Sequence, residues 1–421
     1  MGSADPQNDL RPGRQPGSAP GKVAVAAEGG RVAGILPASR FWSTSILVAF
    51  ALTALVSLAH GVKGALVGDG PHVAGVDFQW SGAHLLAQGQ DPWMAYLNGN
   101  LNHQIILAQH PNYLAEFYVL LYPLGTMDFS RALVCWCIVN LILLCCTLFM
   151  VSRIFVLDRI HSVLLALLTF SCTPFRAALM NGQATFFILF MLTLFYFWQS
   201  RLARGTALGL SYAKYSFSPV MFLVQLFKGS FATVLVSFAT PILGLAIVKF
   251  VLGGSWTTLA LEPFRTSRIA MGPGTGDVMT LLESLLRKAG ASSGTIYLIP
   301  VIAGLAAGIA AAFFIARIKH LKPGAEFALV IAFTLLCFKH VIYDYTVLLA
   351  PLAALFAMPS SRWRAAALWI MAYLWFGSGI LNQLHVAKSL WMDGWSFAVV
   401  LAFAVCLAKS IDPSHAERAA A

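Results

Sequence analysis

Charge is what this sequence has least of. Of its 421 residues 11% are Asp, Glu, Lys or Arg, 58% are hydrophobic, and the mean hydropathy is +0.75. Soluble domains carry roughly 25% charged and 45–50% apolar residues. So few charges exclude a single water-soluble core and leave helices in lipid, each satisfying its own backbone. Cysteine is also sparse. Cys135, Cys137, Cys145, Cys146, Cys172, Cys337 and Cys406 all fall within apolar runs. None has the paired spacing of a zinc site, and none lies in a polar loop where an oxidising compartment would pair it. They read as small buried hydrophobes. A Gly-rich phosphate loop, a metalloprotease helix motif and an Asp-x-Asp metal pair are missing too, so neither a metal nor a cofactor is expected. The net charge of +11 does not point to nucleic acid. No stretch mixes basic and aromatic residues as a base-stacking platform does, and basic residues collect in the cytoplasmic loops of membrane proteins.

What is present starts with a different polymer. Residues 1–40, including "GSADPQNDLRPGRQPGSAPGK", are rich in Gly, Pro and Ser and predict a disordered tail. Arg11, Arg14, Lys22, Arg31 and Arg40 outnumber Asp5, Asp9 and Glu28, which holds this end in the cytoplasm. The apolar run near 42–60 then reads as a retained span. Further runs lie at about 114–125, 132–151, 161–175, 184–199, 205–227, 231–252, 296–316, 325–338, 341–357, 365–382 and 395–409. They predict an all-α polytopic membrane bundle over residues 41–410, with about 10–12 transmembrane helices and a cytoplasmic tail over 411–421. Arg317, Lys319, His320 and Lys322 form one basic loop, Arg362 and Arg364 another, and Lys409 follows the last run. Two spans separate each from the next, as cytoplasmic loops require. The loops at 253–294, 339–340 and 383–394 then face outward. Arg153, Arg159, Arg201 and Arg204 would also lie outside if every run crossed. They move inside if the runs 114–125 and 205–227 are re-entrant or half-helical.

With the N-terminus inside, residues 61–112 form a long first outer loop. In "VDFQWSGAHLLAQGQDPW", Phe78, Ala83, Leu86 and Ala87 share an apolar stripe opposite Gln79, His84 and Gln88. This predicts an interfacial helix that Gly89 ends. Asp77 stands at its N-terminal edge, with two readings open: a helix N-cap or a carboxylate held above the bilayer for chemistry. The region 253–294 carries "DVMTLLESLLRKAG". Leu281, Leu282, Leu285 and Leu286 form one face there, against Glu283, Arg287 and Lys288, as in an interfacial helix or a lid over a groove. Charges inside apolar runs are costly and usually functional. Lys214 interrupts such a run in "SYAKYSFSP", where Pro219 and the serines weaken the helix and suggest a break lining a cavity. Lys339 and His340 fall between two runs, and a helical spacing would let Asp344 orient His340. Glu116, alone in a short run, is expected to find a cation in the bundle.

"DFQWSGAHLLAQGQDPW" resembles the first outer loop of glycosyltransferase family 87. Four further stretches are similar to segments of that family in the same order: "YVLLYPLGTMDFSRALVCWCIVN", "RAALMNGQATFFILFMLTLFYFW", "GLSYAKYSFSPVMFL" and "KHVIYDYTVLLAPL". The resemblance covers about residues 42–360. Two departures, Asp91-Pro92-Trp93 and His110-Pro111-Asn112, lie near the expected acceptor side. The resemblance implies a membrane-integral C-type fold and transfer of a hexose, mannose by the family's example. The donor would be a polyprenyl-phosphate sugar, the acceptor a lipid-linked or glycan molecule, and the place the outer face of a bacterial cytoplasmic membrane. Such a donor carries its own charged leaving group. It calls for a base on the acceptor hydroxyl and for cations on the departing phosphate. Asp77 is the expected base, acting on the face opposite the leaving group and so with inversion. Lys214, His340, Lys339 and Asp344, with Arg176 and Gln183 of the Arg…Gly-Gln stretch, are the expected substrate-binding residues. A transporter or flippase of a lipid-linked sugar is the alternative. The second half, however, repeats neither the Asp77 loop nor the Lys214 break, as inverted repeats would.

Overall fold

A computed structural model describes residues 40–68, 72–270, 274–377 and 390–411. The two expected tails and most of the loop at 383–394 lie outside the described residues. The first helix, α1 (Arg40–Leu66), is 27 residues long, about 40 Å of helix. The segment after it carries α2 (Trp80–Ala87) and α3 (Pro92–Leu97). The helix read from the sequence is α2, with Ala83 and Leu86 buried and Gly89 at φ +70° just beyond its end. Asp77 does not cap it. The N-cap position is Gln79 and no side chain bonds there. Asp91 is a cap, accepting the amide of Met94 at 2.9 Å to start α3.

From α3 the chain sinks into the bundle. The Ala108 amide reaches Val76 O at 3.1 Å, and the Leu114 amide meets Ala213 O at 3.3 Å. There α4 (Ala115–Gly125) begins, and it climbs back. At its far end Gly125 O lies 2.7 Å from Nδ1 of His84, and the indole of Trp80 donates to Met127 O at 3.1 Å. Both ends of α4 therefore lie on the side of α2, so the run at 114–125 is re-entrant. The chain then descends in α5 (Phe129–Ile154), capped by Asp128. It rises through α6 (Arg159–Ser171), capped by Asp158, and α7 (Thr173–Asn181), which meet at a 57° bend and pack together on α1.

Three short helices follow: α8 (Thr185–Phe197), α9 (Arg201–Ser211) and, after a 3-10 turn at Tyr212–Lys214, α10 (Pro219–Phe227). The expected break at Lys214 is therefore present, with Pro219 in the first turn of α10, where its missing N–H costs nothing. Next come α11 (Phe231–Leu252), α12 (Trp256–Ala270), α13 (Val278–Lys288), α14 (Ser293–Arg317) and α15 (Pro323–Cys337). The last stretch holds a 3-10 turn at Ile342–Leu348, then α16 (Leu349–Ala357), α17 (Arg362–Ala372) with a π turn at Tyr373–Gly377, and α18 (Leu390–Ile411). Among the described residues five helices, α1, α5, α11, α14 and α18, are long and apolar enough to cross a membrane. The bent pair α6–α7 makes a sixth. Among the described residues the other apolar runs that would bring the number to 10–12 form shorter helices, and the end of the run 365–382 lies outside those residues.

Those helices are short because they run between two polar layers. In one layer Glu326 at the start of α15 accepts from the Tyr196 hydroxyl at 3.2 Å, from the Gln225 amide at 3.2 Å and from the Lys228 ammonium, while Arg204 reaches Gln225 at 3.4 Å. This layer joins the end of α8, the start of α9, the end of α10 and the start of α15. In the other, Asp344 gathers Thr185 at the head of α8 and Lys214 between α9 and α10. Phe155, just past α5, packs against Gly324 in the first layer. Arg153, Arg159, Arg201 and Arg204 therefore share one end of the bundle with the basic loop 317–322. The re-entrant α4 and the returning α9–α10 pair account for this. Glu116 finds no cation: both its carboxyl oxygens are buried without a partner. Gly244 of α11 packs against its backbone, and a Cβ there would stand 2.5 Å from the Cα of Glu116.

Candidate functional site

A cavity of about 260 Å³ opens where the short helices meet the first loop, and Asp77, Gln183, Lys214, Lys339, His340 and Asp344 all line it. Arg176 does not. It lies midway along α7 beside Gly61 of α1, and the chain reaches the cavity only beyond that helix, at Gln183.

Asp77 owes its place to the end of α7. Gly182 takes a left-handed φ of +68° there and turns the chain, and a Cβ on it would stand 2.8 Å from Cβ of Phe78. The last carbonyls of α7 are thereby free for the loop: Met180 O accepts the Gly75 amide at 3.2 Å, and Asn181 O accepts the Asp77 amide at 3.0 Å. The Asp77 side chain is half-buried. Burial pushes its carboxyl above the ordinary range, opposed by a bond from the Gln183 side chain and by the field of Lys214. Gln183, itself buried, also faces the Tyr113 hydroxyl at 3.5 Å.

The second carboxylate is fully engaged. Asp344 Oδ1 takes the Lys214 ammonium at 2.5 Å and the Thr185 hydroxyl at 2.8 Å, and Oδ2 takes the Val341 amide at 3.3 Å. Lys214 also stands over the rings of Phe217 and Tyr343 at 5.1 and 5.4 Å. Asp344 does not orient His340 by a hydrogen bond. Helical spacing fails because the turn begins at Ile342, after His340, and Nδ1 stays 3.6 Å from Oδ2. Both ring nitrogens of His340 are buried without a partner, beside the ring of Phe217 at 4.4 Å. Lys339 is paired with Glu283 of α13 at 2.5 Å, and Glu283 also holds Arg287. The helix α13, read from the sequence as an interfacial helix or a lid, thus touches the site through its charged face. It is α12 that borders the cavity, with Ser267 and Ala270.

The cavity therefore holds a carboxylate without an ion pair, Asp77, and two imidazoles with nitrogens that make no hydrogen bond, His340 and, at Nδ1, His110. Among the described residues no three His, Cys, Asp or Glu side chains gather as a metal ion would need. Sequence reading missed Tyr113, Tyr215 and Tyr343, which look like ordinary aromatics in apolar surroundings. It also passed over His110 and Asn112 as binding residues. Tyr343 carried one signal, its place beside Asp344.

Two acids, Asp91 and Glu262, meet where α3 packs against α12. Glu262 is fully buried, neither carboxyl oxygen has a hydrogen-bond partner, and its nearest charged neighbours are Asp91 and Arg265. Burial first, then Asp91, pushes Glu262 up to about 7. A carboxyl raised in the folded state stays protonated there while the unfolded chain ionises. Stability then falls as pH rises from the ordinary carboxylate range toward 7, and levels off above. Glu262→Gln should flatten the dependence of Tm on pH between 5 and 7 and raise Tm at pH 7. An unchanged slope would show that Glu262 does not carry it.

The model of glycosyltransferase family 87 matches residues 115–338, from α4 to just past α15. The match includes Gln183 and Lys214, while Asp77 precedes it and Lys339 follows directly. No curated protein and no solved structure matches the chain.

Proposed function

This chain belongs to glycosyltransferase family 87, and from that premise we propose that it moves a hexose, mannose by the family's example, from a polyprenyl-phosphate donor to a hydroxyl of a lipid-linked or glycan acceptor. Asp77 takes the proton of the acceptor hydroxyl as its oxygen attacks the anomeric carbon. The bond from that carbon to the phosphate oxygen breaks, and its electron pair leaves with the polyprenyl phosphate. Attack opposite the leaving group inverts the anomeric centre. His340 holds the departing phosphate, with Lys339, whose ammonium is shared with Glu283, beside it. Lys214, paired with Asp344, contributes its field rather than a free ammonium. A base with a raised pKa suits this task, because proton transfer is most efficient when base and operating pH are close.

The observation that carries this reading is the pairing pattern. The carboxylate without an ion pair, Asp77, and the imidazole of His340, whose nitrogens make no hydrogen bond, stand on separate segments of the same cavity wall. Depth supports a lipid donor. The Trp136 indole donates to Gly182 O at 2.8 Å, and Trp136 lies seven residues into α5. Gly182, next to Gln183 of the cavity wall, is then about 10 Å below the head of that helix, a depth that suits a lipid-borne donor. The basic loops gather at the opposite end of the bundle, which supports an outward-facing cavity in the cytoplasmic membrane of a bacterium.

The test is transfer by the purified protein in nanodiscs, given total membrane lipid and a radiolabelled hexose on either polyprenyl phosphate or a nucleotide. Label should move to lipid or glycan product from the polyprenyl donor alone. Direct transfer from the nucleotide sugar, with none from the polyprenyl donor, would overturn the donor class. An impermeant maleimide on intact cells, with single cysteines at Gln90 and Lys322 in a cysteine-free background, should label Gln90 and spare Lys322.

A further inference from the structure

The segment between α3 and α4 borders the cavity next to Asp77 and has not been given a task. It is anchored firmly. Gln109, fully buried, accepts from the Ser81 amide at 2.9 Å and the Ser81 hydroxyl at 2.8 Å, and donates to Gly75 O at 3.3 Å. The Ala108 amide binds Val76 O, adjacent to Asp77, and the His110 ring leans on Tyr96 at 4.9 Å. On this rigid support His110 and Asn112 line the cavity, and each leaves one buried polar atom, Nδ1 and Oδ1, without a partner. An unsatisfied buried polar atom costs about 1–3 kcal/mol. Two of them on an anchored segment beside the base mark a place for ligand groups. No Lys, Arg, Asp or Glu occurs from Ile105 to Tyr113, while the cations of the cavity stand on the segments of Lys214 and of Lys339 and His340. Burial lowers the pKa of His110, which keeps its ring neutral.

We propose that His110 and Asn112 form the acceptor subsite and that they take hydroxyls of an uncharged sugar. One ring nitrogen that donates or accepts and one amide oxygen that accepts suit sugar hydroxyls, which do both. An anionic headgroup finds no counter-charge there and meets Asp77. This rests on the transfer reaction proposed above and assigns the acceptor's side of it.

Two measurements separate the inference from that reaction. The first is equilibrium binding of tritiated hexyl glucoside, hexyl mannoside and hexyl phosphate to the nanodisc-embedded protein, with empty nanodiscs subtracted. The second is acceptor KM in the transfer assay. The parent should retain at least one hexyl glycoside. His110→Phe and Asn112→Leu should each weaken that retention and raise acceptor KM by at least tenfold, with hexyl phosphate retention and donor KM changed less than twofold. His110→Ala and Asn112→Ala serve if these substitutions fail to fold. If neither glycoside binds the parent, or if the folded variants keep parental glycoside binding and acceptor KM, the subsite is wrong. Glycoside binding that depends on Asn112 in a protein that transfers nothing would remove the transfer reading and leave the subsite. Normal transfer with unchanged acceptor KM would do the reverse.

Discussion

Asp77→Asn protein should fold, bind donor within a few-fold of the parent, and lose on the order of 10²–10⁴-fold in kcat. Its backbone anchors to α7 are untouched by the substitution, and the side chain caps no helix, so no structural role hides the chemical one. An Asn oxygen still accepts from Gln183, but it cannot take a proton. Asp91→Asn is the matched control in the same loop. Asp91 is an N-cap, and Asn caps about as well as Asp, so its activity should stay near parental. Steady-state kinetics with both variants, alongside donor binding, checks the contrast. Near-parental turnover by folded Asp77→Asn would remove the base.

The second large effect is on the fold. Asp344→Ala should destabilise the protein by about 3–5 kcal/mol, the usual consequence of breaking a buried ion pair from one side. It strands the Lys214 ammonium and takes the acceptor from Thr185 and from the Val341 amide. Combining it with Lys214→Met should recover a good part of that loss, because the stranded charge is then gone. Neither variant should recover transfer. Thermal unfolding of the two singles and the double, read as a cycle, gives the coupling. A double variant no more stable than Asp344→Ala alone would mean the pair is incidental.

Hydropathy was enough for the long helices: α1, α5, α11, α14 and α18 each coincide with a predicted run. It could not separate crossings from half-helices, since the 11 residues of α4 and the 13 of α8 are as apolar as full spans. Charge did better. Placing Arg153, Arg159, Arg201 and Arg204 with the basic loop 317–322 needs two reversals, one of the two arrangements that the charges left open, and α4 and α9–α10 supply them. In the site, Asp77, Lys214 and His340 stood out as ionisable groups among apolar neighbours. Their partnerships did not. Lys214 and Asp344 are 130 residues apart, and a contact at that separation leaves no local pattern. The same holds for Lys339 with Glu283. Local spacing also misled, because His340 and Asp344 looked like neighbours on one helix that in fact begins between them. Arg176 failed for a related reason: its sequence stretch reaches the cavity only at its end, through Gln183.

In the proposed reaction Asp77 and His340 stand on either side of the reacting sugar. Cryo-electron microscopy of the protein in nanodiscs with a non-transferable polyprenyl-phosphate hexose analogue tests it most directly. Phosphate density should lie within hydrogen-bond reach of a His340 ring nitrogen and the Lys339 ammonium, with the anomeric carbon between that phosphate and the Asp77 carboxylate. A phosphate seated away from His340, or a hexose with its anomeric carbon turned away from Asp77, would contradict it.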